Sequence, residues 1–271
     1  MLTHRELIED INRLDLPPGA VAFWWIGQMS YIVKIGATVF YFDPYLAPRE
    51  TRQVPPLLTP DEVTNADWVF GSHDHSDHID PTAIPGIAQA SPRVRFVCSR
   101  VNRARVGSLS VPDERIVALD DGWAHEADGV TITAVAAQHE FFDRHAELGY
   151  PHLCFILECG GAIVFHSGDT LKYDGLSAKL SRWKFDVVFL PINGRDAVRF
   201  ARKTIGNMTY QEAVDLAGDI QPRLTVPGHY DMFRQNGEDP KKFTDYMDVK
   251  FPHLKYRVGP HGEAVVLPAR Q

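Results

Sequence analysis

Three histidines and two aspartates fall within six residues, His73-Asp74-His75-Ser76-Asp77-His78, directly after the apolar stretch Asp67–Gly71. In an extended segment side chains alternate, so His73 and His75 point to one side. A turn after His75 brings Asp77 and His78 round to a second position nearby. Imidazole and carboxylate together suit zinc, manganese or iron. Asp74 and Ser76 fall between the ligands and serve the turn. A solvated polar loop would not need an apolar strand before it, nor further histidines and aspartates at the ends of later strands.

The elements that position these residues are legible from periodicity and punctuation. Thr3-x-x-Glu6 reads as a capping box before Leu7, Ile8, Ile11 and Leu14, a short helix ended by Pro17-Pro18-Gly19. Strands are expected over Val21–Ile26, Tyr31–Ile35 and Thr38–Phe42, the last two joined at Gly36-Ala37. Further strands follow at Arg93–Cys98, Arg115–Leu119, Val130–Ala136, His152–Glu158, Ala162–His166, Asp186–Pro191, Leu224–Pro227, Tyr256–Val258 and Ala264–Leu267. Thr209-x-x-Glu212 is a second capping box, and Ala213, Leu216, Ala217 and Ile220 make one apolar helix face. Asp239-Pro240 starts another helix with Phe243, Tyr246 and Met247 inward. Antiparallel runs precede helix-linked strands in each half, which predicts two packed sheets with helices outside, in one domain over residues 1–271. Residues 1–19 form a helical extension to it. Trp24 and Trp25 alternate along a strand, so one of them faces the core.

The chain's 271 residues, 44% hydrophobic and 23% charged, exclude a disordered, collagen-like or coiled-coil protein. The net charge of −7 argues against a nucleic-acid partner. No apolar run is long enough to span a membrane, and the charged start MLTHRELIEDINRLDL is not a signal peptide. Cys98, Cys154 and Cys159 are an odd number without a CxxC pair, so neither a disulfide framework nor a thiolate zinc site is expected. A reducing, cytoplasmic location fits.

His73-x-His75-x-Asp77-His78 resembles the signature of the metallo-β-lactamase fold superfamily. Other pieces resemble its motifs in order: Trp25-Ile26-Gly27-Gln28-Met29-Ser30, Asp43-Pro44, His139, Ser167-Gly168-Asp169-Thr170 and Gly228-His229-Tyr230. The resemblance runs from about Ala20 to Leu267 and implies an α/β fold, a four-layer αββα sandwich. It implies that His73, His75 and His139 bind a first metal, Asp77, His78 and His229 a second, and that Asp169 bridges them. Two ions about 3.5–4 Å apart hold a hydroxide with a pKa near neutrality, which attacks a carbonyl or phosphorus while a metal stabilises the oxyanion. Asp77 is a candidate proton shuttle as well as a ligand. Asp43 either orders the site from behind or only ends a strand. His166 reads as a core histidine, and His145 and Glu140 as loop residues or substrate contacts. His4, His125, His152, His253 and His261 have no motif context.

SHDHSDHIDP, HSGDT, PINGR, IGNMTYQEA and VPGHYDMF resemble the branch that contains L-ascorbate-6-phosphate lactonase. That resemblance implies a lactone-opening hydrolase, two divalent ions (Mn2+ or Zn2+, with Fe possible), a small anionic metabolite as partner, and a homo-oligomer. Arg195, Arg199 and Arg202 have the spacing of one helical face, with Lys203 beside them. Arg195 is expected to meet the substrate's anionic group, and the other three to form a solvated face. Asn193, Asn207 and Tyr230 are candidate substrate hydrogen-bond partners. Competing readings are a dinuclear phosphodiesterase, a flavodiiron or mono-iron redox enzyme, disfavoured because no flavin domain is evident, and a non-catalytic metal-stabilised binding protein.

Overall fold

The computed structural model describes residues 4–270. Thr3 of the first capping box lies outside them. Among the described residues seven α-helices and thirteen strands follow one another in mixed order. The first sheet has strand order β13-β1-β2-β3-β4-β5-β6. It is built from β1 (Val21–Trp25), β2 (Tyr31–Ile35), β3 (Thr38–Phe42), β4 (Trp68–Phe70), β5 (Arg95–Ser99), β6 (Ile116–Leu119) and β13 (Val265–Leu267). The second has order β12-β11-β10-β9-β8-β7. Its strands are β7 (Ala124–Ala127), β8 (Val130–Ala136), β9 (Leu153–Cys159), β10 (Ala162–His166), β11 (Val187–Pro191) and β12 (Leu224–Gly228).

Strand alternation sorts the apolar residues into three layers. Val21, Phe23 and Trp25 of β1 meet Ile132 and Phe155 between the sheets. Ala22 and Trp24 face the other way, onto Leu7, Ile8 and Ile11 of α1 (His4–Arg13) and Ile84 and Ile87 of α2 (Ala83–Ala90). Both tryptophans are therefore buried, because a sandwich sheet is covered on each face; the expectation of one core tryptophan counted a single layer. Beyond the second sheet, Ala213, Leu216, Ala217 and Ile220 of α6 (Tyr210–Ile220) and Phe243 and Met247 of α7 (Pro240–Lys250) close a third layer. The result is the expected αββα sandwich.

Three expectations need correction. Tyr256–Val258 is not a strand; Tyr256 makes only an isolated bridge to Thr225. The short β7 and the helices α2, α3 (Arg103–Ser108) and α4 (Leu176–Leu180) were not anticipated, being too brief for a clear period. The basic segment is not one helical face. Its helix α5 spans only Ala197–Ala201, because Asp196 caps it by accepting from the N–H of Val198 and Arg199, both at 2.9 Å. Arg195 lies before that cap, and Lys203 lies past the helix end with φ +61°. The α6 capping box is present, with Thr209 N donating to Glu212 Oε2 at 3.0 Å.

Candidate metal centre

Parallel pairing places the site. β4 runs parallel to β3 and β5, and β11 runs parallel to β10 and β12. Their C-terminal ends open on one rim of the sandwich, where α/β folds form their clefts. Asp43 follows β3, His73 to His78 follow β4, His139 follows β8, Asp169 follows β10 and His229 follows β12. Gly168 permits the closure. It has φ +53°, and a Cβ there would stand 2.7 Å from the Ser72 Cβ.

The seven expected ligands converge. His73, His75 and His139 offer ring nitrogens within 4.8 Å of one another, as do the ligand atoms of Asp77, His78 and His229. Asp169 groups with His73 and His78. Its Oδ2 is 3.0 Å from His229 Nε2, 3.4 Å from His78 Nε2 and 3.9 Å from His139 Nε2. All are buried except His75, which is exposed, and Asp77, which is partly so. Three buried atoms, His73 Nε2, His78 Nε2 and Asp169 Oδ1, have no hydrogen-bond partner. Orphaned polar atoms facing one gap are unfavourable unless something fills it. The donor set and its orphaned atoms fit divalent cation binding.

The electrostatics divide the centre in two. Burial, helped by His78, His139 and His75, holds His73 well below the usual histidine range. Burial likewise pushes His139 down to about 3. Burial opposes the charge on His78 too, but Asp169, Asp77 and Asp43 overcome it and hold this ring well above the usual range. His229 is raised by Asp169 and Asp77 against burial. Reciprocally, His229 and His78 overcome burial to keep Asp169 strongly acidic.

The surroundings orient the rings. Asp43 is fully buried; its carboxylate accepts from Ser72 N at 2.8 Å and Ser72 Oγ at 2.7 Å, and lies 2.6 Å from His78 Nδ1. It therefore orders the site as well as ending a strand. His139 Nδ1 is 3.2 Å from the Gly206 carbonyl, whose amide donates to Glu140 Oε2 at 2.8 Å. Glu140 thus clamps the loop after α5. Gln28, Asp43, Glu140, Lys203 and His229 all adopt left-handed backbone. Such strain in non-glycine residues gathers where surrounding structure over-determines it.

A cavity of about 340 Å3 opens over the centre. It is lined by five of the seven groups together with Lys203, Thr204 and Ile205 of one loop and Phe233, Gln235 and Asn236 of another. The four substrate-contact candidates are not among its lining residues. Arg195 is engaged by Glu212, with Nη1 to Oε2 at 2.6 Å and Nη2 to Oε1 at 2.8 Å, and lines a neighbouring cleft. Asn207 Nδ2 donates to Asn193 Oδ1 at 3.0 Å, and Asn193 Nδ2 donates to Asn236 Oδ1 at 2.9 Å. This buried pair braces the cavity wall from behind. Tyr230 packs on Trp25, ring centroids 4.9 Å apart. Arg199 is likewise used internally, donating to the carbonyls of Asn193 and Gly237. Nearness in sequence to a strand end marked these residues, but the turn geometry sends their side chains elsewhere.

Other histidines also sort themselves. His166 is a core residue, its Nε2 2.8 Å from the Met29 carbonyl. His145 stays in its exposed loop, where Nδ1 accepts from Glu147 N and Leu148 N. His152 and His261 looked ordinary in sequence. The His152 ring lies 5.4 Å from His73 and 5.5 Å from His139. His261 stacks on Trp25 at 4.0 Å, with Nε2 2.6 Å from Asp231 Oδ2. Gln28 was given no role of its own, although it stands within the Trp25–Ser30 motif and in the tight turn between β1 and β2. Among the described residues no helix is long and apolar enough to cross a membrane.

Residues 38–230 match the family model described as a beta-lactamase superfamily domain. The chain is 22% identical over 252 residues to a UPF0173 metal-dependent hydrolase of Caldivirga maquilingensis, covering 91% of this chain and 98% of that protein. It is 26% identical to one of Methanosarcina mazei, covering 90% and 97%. Among solved structures it is similar to Igni18, a metallo hydrolase of Ignicoccus hospitalis, with TM-score 0.75 and 20% identity over 93% of this chain and 100% of that one. The metallo-beta-lactamase fold protein YhfI of Bacillus subtilis has TM-score 0.65 and 14% identity, over 91% and 99%.

Proposed function

The chain belongs to the beta-lactamase superfamily, and from that premise we propose that it is a metal-dependent hydrolase. It opens a lactone, or a similarly activated carbonyl, of a small anionic metabolite of the phosphorylated sugar-acid kind. One observation carries the reading: seven imidazole and carboxylate groups from four strand ends converge, with orphaned buried atoms among them. The names of the metal-dependent hydrolases that it resembles agree.

In this reading His73, His75 and His139 hold one ion, Asp77, His78 and His229 hold a second, and Asp169 lies between. Zinc or manganese suits these donors, and iron is compatible with them. When bound, the pair acidifies a water and polarises the scissile carbonyl. Asp43 keeps the His78 Nδ1 proton in place and leaves Nε2 free for ligation. The Gly206 carbonyl does the same for His139. Asp77, partly open to the cavity, is the carboxylate placed to pass a proton to the leaving oxygen.

Lys203, rather than Arg195, meets the substrate's anionic group. It lines the cavity, while the charge of Arg195 is already paired. Lys203→Ala is expected to raise KM for a phosphorylated or carboxylated substrate about tenfold, ~1.4 kcal/mol, with a neutral ester unaffected. Equal effects on both substrates would exclude charge recognition.

Ion uptake is expected to be asymmetric in pH. His73 and His139 are held neutral by burial and give up no proton. His78 and His229 retain theirs to higher pH than an ordinary histidine, so their ion must displace protons. Affinity for the ion held by His78 and His229 should therefore rise with pH through the neutral range. Calorimetry in buffers of different ionisation enthalpy reads this directly; metal uptake without proton release would contradict it.

The function itself is tested by metal analysis joined to hydrolysis of ascorbate 6-phosphate and bis-p-nitrophenyl phosphate. Lactone turnover by the metal-replete chain is expected. Turnover of the diester alone would overturn the lactonase reading for a phosphodiesterase. A metal-replete chain inert towards a broad lactone, ester and diester panel would be a binding protein.

A further inference from the structure

Gln28 is the polar side chain at the centre that no ligand role absorbs. It is 1% exposed and holds left-handed backbone, φ +54°. A cage keeps it there. Trp25 Nε1 and His229 N donate to its carbonyl, each at 3.0 Å, and its own N–H reaches Asp231 Oδ1 at 3.4 Å. Asp231 is braced in turn by His261, which stacks on Trp25. The segment around residue 261 thus reaches the metal centre through one turn residue.

The caged side chain has a definite aim. Its Nε2 donates to Asp77 Oδ2 at 2.7 Å and lies 2.9 Å from His229 Nε2. Its Oε1 is buried without a partner. An orphaned buried carbonyl is destabilising, so the amide is held for its nitrogen. The opposite flip would set its oxygen against the Asp77 carboxylate. Both groups it touches belong to the same ion position.

From this geometry we propose that Gln28 is a positioning residue for the second ion, resting on the two-ion reading above. Its N–H holds Asp77 Oδ2, the oxygen 3.6 Å from His78 Nε2, and sets the spacing between Asp77 and His229. Because it approaches only that trio, its loss is felt at one of the two positions.

The test is titration of the full, metal-free chain with Mn2+ or Zn2+, resolving two uptake steps by calorimetry. Gln28→Met keeps the volume and removes the donor. It is expected to weaken the second step about 10–100-fold and leave the first within about twofold. The melting temperature of the metal-free chain should hold. Asp231→Asn, which loosens the grip on the Gln28 backbone without altering its side chain, should give the same split with smaller amplitude. An unchanged second step, or parallel weakening of both steps, would overturn the positioning role in either variant. A wild-type chain that takes up a single ion would overturn the two-ion reading, and this proposal with it.

Discussion

Asp169→Ala is expected to abolish hydrolysis, lowering kcat/KM by at least about 10^3-fold, ~4 kcal/mol, and to strip metal from the chain. The reason lies in its place. One carboxylate oxygen is within 4 Å of the Nε2 atoms of His229, His78 and His139, which belong to both trios. The other oxygen is buried and unpartnered. In the two-ion reading its loss leaves both cation positions incomplete. Asp169→Asn separates charge from shape. It keeps the volume of the buried side chain. That variant should remain folded yet hold less than half the wild-type metal. Full occupancy and full activity in either variant would sink the site assignment.

Asp43→Ala is the second large effect, and it works without touching an ion. The fully buried carboxylate satisfies the Ser72 amide, the Ser72 hydroxyl and His78 Nδ1. Alanine strands these donors away from water, a loss of about 3–5 kcal/mol. Metal affinity should fall about 10–100-fold as well, because His78 loses the partner that fixes its tautomer. Asp43→Asn is the sharper probe. An amide N–H turned towards His78 Nδ1 forces the ring proton onto Nε2, the atom required for ligation. Asn should therefore cost less stability than alanine and still impair metal uptake. Thermal melts of the metal-free variants beside their metal content decide it. An asparagine variant with normal metal uptake would show that the tautomer is not set by Asp43.

The candidate metal centre was legible from residue types in the contiguous run His73–His78, and from the family resemblance in the groups at later strand ends. Period-2 alternation puts His73 and His75 on one side. Apolar strands of ordinary length end where His139, Asp169 and His229 begin. The layers were legible for the same reason: alternating apolar residues on two sheets leave one packing solution. The basic segment was not. Arg195, Arg199 and Arg202 have helical spacing, but Asp196 starts the helix after the first of them. Glu212, 17 positions on, then takes the guanidinium. Helical period is local, whereas the partner of a charge is not.

The sequence by itself, through strand-end position, donor chemistry and the motifs it shares with a known superfamily, marked the fold, the seven candidate groups and the kind of cation they suit, since these are properties of short segments. Only the tertiary structure decided what surrounds them. Gln28 meets Asp77 across 49 positions and His229 across 201. Asp43 meets His78 across 35. Lys203 reaches the cavity because Glu140 and His139 fasten its loop at Gly206. Contacts of that range exist only once both sheets have closed, and the direction of a side chain beyond a strand end is set by the turn and by its distant partner.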